Sequence, residues 1–310
     1  MDLSGYVISP LKDGDITLSR GSGSDVAPIL LATAQDAAPV RVKRLEHEFA
    51  LKAQLDCAWA ARPVELVRQN DRVTLVLEDP GGESLDRLLG RPMPISEFLR
   101  IAIAFASALH RVHQQGLVHK DIKPANALVD VPTGRVWLTG FGIASRVPRE
   151  HASPEPPESI AGTLAYMAPE QTGRMNRSID ARSDLYSFGV TLYEMLTGAL
   201  PFAASDAMEW VHCHIARRPV SPSEQVPAVP EQLSAIVMKL LAKTAEERYQ
   251  TARGVEADLR QCLTEWGAHG RIDAFPLGVR DAPGRLTVPE RLYGRDREIE
   301  TLLATFERVM

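Results

Sequence analysis

His119-Lys120-Asp121-Ile122-Lys123-Pro124-Ala125-Asn126 sets a carboxylate, an ammonium group and a carboxamide close together in one short loop. Moving a phosphoryl group onto a hydroxyl requires those group types: Asp121 to accept the hydroxyl proton, Lys123 to lie against the moving phosphate, and Asn126 to offer an oxygen ligand to Mg²⁺. Other clusters promise less. His212-Cys213-His214 puts its outer ligands at i and i+2, on different helix faces and with no third partner, so a helix-surface position is expected rather than a metal site. Trp59, Trp137, Trp210 and Trp266 are expected to pack, and the Arg41–Arg44 run to be a solvated helix face.

Elements must hold that loop in place, and the sequence offers them in two blocks. Short β-like runs occur near Tyr6–Ile8, Asp15–Ser19, Ala27–Thr33, Val64–Arg68 and Val73–Leu77, with Gly21, Gly23 and Asp25 marking a turn between the second and third. Between the third and fourth, RVKRLEHEFALKAQL carries Leu45, Phe49 and Ala53 at helical spacing. After the Asp79-Pro80-Gly81-Gly82 break, helices are expected at Ile95–Gln115, Ser183–Leu196, Ala207–Arg217, Pro230–Lys243 and Ala252–Trp266. The first of these is apolar nearly all round, which predicts burial. The pattern predicts an α+β, bilobal chain: a small five-stranded β lobe with one helix over residues 1–79, and a large mainly α lobe over 80–266. Residues 267–291 are expected to be a linker, and 292–310 the first helix of a further module.

Composition narrows the class. The 310 residues carry 35 Lys and Arg against 40 Asp and Glu, a formal charge of −5, and 45% are hydrophobic, enough for a sizeable core. Mild acidity gives no broad footprint for nucleic acid. Cys57, Cys213 and Cys262 form no disulfide framework, and no apolar run approaches the roughly 20 residues of a membrane span, so a cytoplasmic protein is expected.

The loop resembles the HRDLxxxN catalytic loop of protein kinases, and later motifs arrive in the order of that family. Gly162-Thr163-Leu164-Ala165-Tyr166-Met167-Ala168-Pro169-Glu170 resembles the end of an activation segment closing in APE. Asp184, in RSDLYSFGVTLYEMLTG, looks like the helix aspartate that hydrogen-bonds the catalytic-loop backbone. Arg248 looks like the arginine that pairs with Glu170, and Leu75–Asp79 resembles the strand and hinge joining the lobes, with Leu77 and Glu78 beside the nucleotide. The resemblance, over residues 6–266, is to eukaryotic-type serine/threonine kinase domains of bacteria. It implies ATP and Mg²⁺ as cofactors, a protein substrate or partner, and structural roles for His119 and Phe141. It also makes Ser145, Ser153, Ser159 and Thr163 candidate phosphorylation sites, with a structural role, touching Asp121 and Lys123, preferred for Thr163. The tail, FPLGVRDAPGRLTVPERLYGRDREIETLLATFERV, resembles the joint in hybrid proteins where such a domain precedes an AAA-type ATPase and a histidine-kinase core.

Four positions depart from the pattern of that family. Gly140-Phe141-Gly142 stands where DFG is expected, so Gly140 replaces the metal-binding carboxylate. Glu48 matches the small-lobe glutamate, yet its strand-borne lysine partner is missing, with Ala32 expected in its place and Lys12 offering a substitute in the manner of the with-no-lysine kinases. The phosphate loop reads Leu11-Lys12-Asp13-Gly14-Asp15, with two carboxylates that would repel phosphate. Pro80 falls where the hinge normally donates an N–H to adenine. The resulting expectation is a signalling domain degenerate in nucleotide and Mg²⁺ handling that acts through protein partners; the alternative is an active kinase with an atypical lysine and metal arrangement.

Overall fold

Five strands form one antiparallel sheet in the order β1-β2-β3-β5-β4: β1 (Val7–Lys12), β2 (Ile16–Ser22), β3 (Ile29–Ala34), β4 (Pro63–Gln69) and β5 (Arg72–Glu78). This computed structural model describes residues 5–24, 26–34, 36, 38–69, 72–146, 150–151, 164–175 and 177–282. Thr163, Ser153, Ser159 and the segment expected to open a further module lie outside them.

Successive side chains of a strand point to opposite faces, and β3 uses both. Leu30, Ala32 and Ala34 join Leu75, Leu77 and Leu45 in one buried cluster, while Ile29 and Leu31 meet Val76 on the other side. Leu45 comes from α1 (Pro39–Ala50), whose first-turn proline suits a position where no N–H partner is needed.

β1 differs from its expected extent. It runs four residues past Ile8 because Pro10, which cannot donate a ladder bond, is tolerated on an edge strand. Its register with β2 shifts between Pro10 and Lys12, a bulge that leaves Leu11 as the additional residue.

The large lobe is built on α2 (Ile95–Gln114), which buries ten side chains from Phe98 to Val112. Before it comes the short β6 (Glu83–Ser84); after it, β7 (Ala127–Asp130) and β8 (Arg135–Leu138) make a hairpin, the three forming a small sheet in the order β6-β7-β8. Then follow α3 (Ala181–Thr197), α4 (Ala207–Ile215), α5 (Pro222–Gln225), α6 (Glu231–Leu240) and α7 (Ala252–His269). α3 starts on a capping box made by Asp180 and Ser183 and buries fourteen of its residues.

Two further expectations change. The expected loop starts later, because α7 continues to His269, and its first part is docked: Gln232 donates to the Phe275 carbonyl at 2.8 Å and Asp281 accepts from the Gln250 and Thr251 N–H groups at 2.6 and 2.9 Å. His214 is not on the helix surface. Its ring lies buried between Trp210, Phe202 and Tyr186, with Nδ1 3.0 Å from the Tyr186 hydroxyl, so only His212 of that triplet faces solvent. No helix among the described residues is long and apolar enough to cross a membrane.

Candidate active site

The loop His119–Asn126 crosses from α2 to β7, and α3 fixes it from below. Asp184 accepts the His119 N–H at 2.8 Å with one oxygen and the Lys120 N–H at 2.8 Å with the other. Lys120 has φ +67°, a region non-glycine residues seldom occupy, and Asp184 is what holds it there. His113, a residue the sequence did not single out, adds a contact at 2.9 Å to the same carboxylate. The buried His119 ring sits 4.5 Å from that of Phe141 and bonds the Thr139 carbonyl at 3.0 Å, which ties the loop to the segment after β8. Burial holds the His119 pKa below its ordinary value, so the imidazole is neutral.

With the backbone set, three side chains interlock. Lys123 Nζ lies 2.9 Å from both oxygens of Asp121. Asn126 Nδ2 donates at 2.8 Å to the Asp121 carbonyl and at 2.8 Å to its Oδ2. Burial alone would raise the Asp121 pKa; the Lys123 and Lys12 charges outweigh it and hold the carboxyl below its ordinary value, hence ionised.

Lys12 arrives from the opposite lobe. Its Nζ donates to Asn126 Oδ1 at 2.6 Å. Burial and the neighbouring Lys123 ammonium lower it to about 8. A bulge re-aims the side chains of the strand that carries it, and that is how an edge-strand residue reaches under the sheet.

These groups line a cleft of about 420 Å³ between the lobes, roofed by Leu18 and Ala32 and backed by Leu77. Glu48 reaches it from α1, where it takes the Gly140 N–H at 3.3 Å, and burial pushes its pKa up to about 7. Asp13, Asp15 and Asp86 also face the cleft; Asp15 is neutralised in part by Arg41, 3.0 Å away. Glu78 is not part of the lining, since its carboxylate pairs with Arg62. Beside it, Arg20 braces the hinge by donating to Asp79 at 2.6 Å and to the Gly82 carbonyl at 2.7 Å. That contact spans sixty residues of sequence, and no local signal announces it.

Below the cleft, Arg248 and Glu170 meet in a two-pronged pair at 2.7 and 2.9 Å, both side chains buried. Arg248 also donates to the Ala242, Lys243 and Arg182 carbonyls, so its guanidinium is satisfied without water.

A base-capable carboxylate, an apolar roof and a clamp beneath surround this cleft, and comparison with known proteins places the chain in a family. A family model for the protein kinase domain matches residues 27–259. The chain belongs to the protein kinase family. Over 168 residues it is 39% identical to the serine/threonine-protein kinase PknB of Mycobacterium leprae, covering 54% of this chain and 26% of that protein. It is 34% identical over 214 residues to the probable serine/threonine-protein kinase SCO3848 of Streptomyces coelicolor, with 68% of this chain and 30% of the relative covered. For the serine/threonine-protein kinase Pkn1 of Myxococcus xanthus the identity is 34% over 227 residues, 71% of this chain and 31% of the relative. The matched region is thus under a third of the length of each of these relatives.

Measured against a kinase, two charged groups are displaced. Ala32 stands on β3 opposite Leu75, facing the cleft where the family's lysine is expected, and leaves Glu48 without a cation from β3. Mg²⁺, the ion this family uses, does not fit the residues present. Gly140 brings no carboxylate, and a Cβ built on it would stand 2.9 Å from Cγ, Nδ2 and Oδ1 of Asn126, so a side chain there and Asn126 in its present place exclude each other. The Asn126 oxygen that could ligate a metal is taken by Lys12. Among the described residues no three His, Cys, Asp or Glu side chains assemble into a metal-binding group.

Proposed function

We propose that this domain binds ATP in the cleft and passes its terminal phosphoryl group to a serine or threonine hydroxyl of a protein, with Lys12 supplying from β1 the ammonium that β3 lacks. The observation that carries this reading is the placement of Lys12 Nζ 2.6 Å from Asn126, in one cluster with Asp121 and Lys123. The serine/threonine kinase relatives support the substrate class.

In this mechanism Asp121 is ionised and receives the proton of the acceptor hydroxyl. The hydroxyl oxygen forms its bond to the γ-phosphorus as the bond to the β–γ bridging oxygen breaks, and ADP leaves with the electron pair. Lys123 and Lys12 hold the charge that builds on the phosphoryl oxygens. No step is assigned to a metal. Loss of one charge-bearing contact at such a transition state costs about 3 kcal/mol, so turnover about a hundredfold below that of a fully equipped kinase is expected.

A second reading has its own observation: Gly140 lacks the carboxylate, and Pro80 offers the hinge no N–H. It describes a signalling domain without transfer that works through protein partners, including the ATPase and histidine-kinase modules that its tail's resemblance implies. Incorporation of γ-labelled phosphate into a protein acceptor separates the two. Under the leading reading it is slow, disappears in Asp121→Asn and survives in the exposed control Arg271→Ala; no incorporation above background favours the second.

A further inference from the structure

We infer that the Lys12 ammonium takes the place of the divalent cation at Asn126, so that the nucleotide's phosphates are met by Lys12 and Lys123 directly and binding needs no metal. This rests on the reading that the cleft takes ATP.

Three observations converge on it. The first is the orientation of Asn126. Its Nδ2 is committed to two oxygens of Asp121, at 2.8 Å each, so its Oδ1 is the atom presented to the cleft. Lys12 Nζ occupies that atom at 2.6 Å. A carboxamide oxygen offered to a cation site is here already bonded to a cation.

The second is the missing anionic ligand. A hard divalent ion needs several oxygen donors, usually with a carboxylate among them. Gly140 carries none, and the space its side chain would enter is filled by Asn126. Asp121, the carboxylate bonded to Asn126, has both oxygens engaged by Lys123. A divalent ion entering here would have to displace one ammonium and then lie beside two, with like-charge repulsion from each.

The third is the backbone. The bulge between Pro10 and Lys12 turns this one side chain inward while Leu11 stays packed in the sheet. Arg87 holds the bulge by donating to the Pro10 carbonyl at 2.6 Å. An edge strand without that irregularity would send Lys12 elsewhere. Substitution of ammonium for metal is therefore built into β1 and does not depend on a chance rotamer.

The test is titration of the full 310-residue chain with ATP by calorimetry, once in excess Mg²⁺ and once in EDTA. The Kd values are expected to agree within about threefold, and Lys12→Ala is expected to weaken binding about tenfold or more in EDTA but by much less in Mg²⁺, because Asn126 Oδ1 is then free for the ion. Lys12→Arg, which keeps the charge, should retain metal-free binding and guards against a folding artefact. Binding more than about tenfold tighter with Mg²⁺ overturns the inference and leaves the nucleotide reading standing. An equal loss in both media for Lys12→Ala reduces Lys12 to an ordinary phosphate contact and also overturns it. Absence of ATP binding in either medium removes both.

Discussion

Asp121 is ionised because two ammonium groups outweigh its burial, and the proposed chemistry depends on that balance. Replacing it with asparagine keeps the shape and removes the proton acceptor. Asp121→Asn should lower phosphate incorporation by about 10²-fold or more while leaving ATP affinity within a few-fold, checked by transfer assay and calorimetry on the same sample. Glu48 is the reverse case: burial lifts its pKa to about 7 from the ordinary 4.5. A raised carboxyl pKa favours the folded protein fully below the unfolded value and loses that advantage as the pH rises through the folded one. Glu48→Gln, which cannot ionise, should therefore be more stable than the parent at pH 8, by on the order of 1 kcal/mol, with the gain fading towards pH 4.5. Urea unfolding at the two pH values checks the sign. The types and spacing of Asp121, Lys123 and Asn126 were enough to mark the loop, since they are local. The contacts of His113 and Arg20 were not legible, because each joins residues that only the fold brings together.

The element that decides the site is β1. Short β-like runs separated by Gly and Asp make all five strands readable, but the first, expected near Tyr6–Ile8, runs on to Lys12. A bulge is a property of two strands paired in register, so a single-strand pattern cannot disclose it; Lys12 is legible as a substitute lysine, but the backbone irregularity that aims it at the cleft is not. The helices were more legible because a period of 3.6 survives over long spans; the burial of His214 was missed because its neighbours Tyr186 and Phe202 come from distant stretches. At this scale the Arg248–Glu170 pair, which joins the segment before α3 to that before α7, makes a clear prediction. Arg248→Met strands a buried carboxylate and should cost about 3–5 kcal/mol in urea unfolding, part of it recovered when Glu170→Met is added. Burial opposes ionisation of Glu170, but Arg248 outweighs it and holds the pKa below the ordinary 4.5, so the pair contributes fully above that pH and its contribution falls away as the pH drops below it. The parent should lose stability on acidification more steeply than the double variant.

Over the whole molecule, a sheet-built lobe and a helical lobe enclose one cleft, and the large lobe is the better furnished of the two. Asp184 anchors the loop that carries Asp121 through the His119 and Lys120 N–H groups, and Glu170 and Arg248 pair as a clamp in the same lobe. Relative to the family pattern, the small lobe has its cleft lysine on β1 rather than β3, and the segment after β8 has Gly140 in place of a carboxylate. These changes are coupled: a carboxylate at 140 and the Lys12–Asn126 contact compete for one space. Gly140→Asp, at a φ of +78° that aspartate tolerates better than most residues, should displace Asn126 and make ATP binding depend on Mg²⁺, which calorimetry with and without EDTA would register. The role proposed for Lys12 is that of the working lysine of a slow kinase. It is tested most directly by incorporation of γ-labelled phosphate into a protein acceptor, measured side by side for the parent chain, Lys12→Met and Lys12→Arg. Slow incorporation by the parent, a loss of about tenfold or more in Lys12→Met, and an intermediate rate in Lys12→Arg are expected; incorporation by Lys12→Met at the parent rate, or none by the parent, would contradict that role.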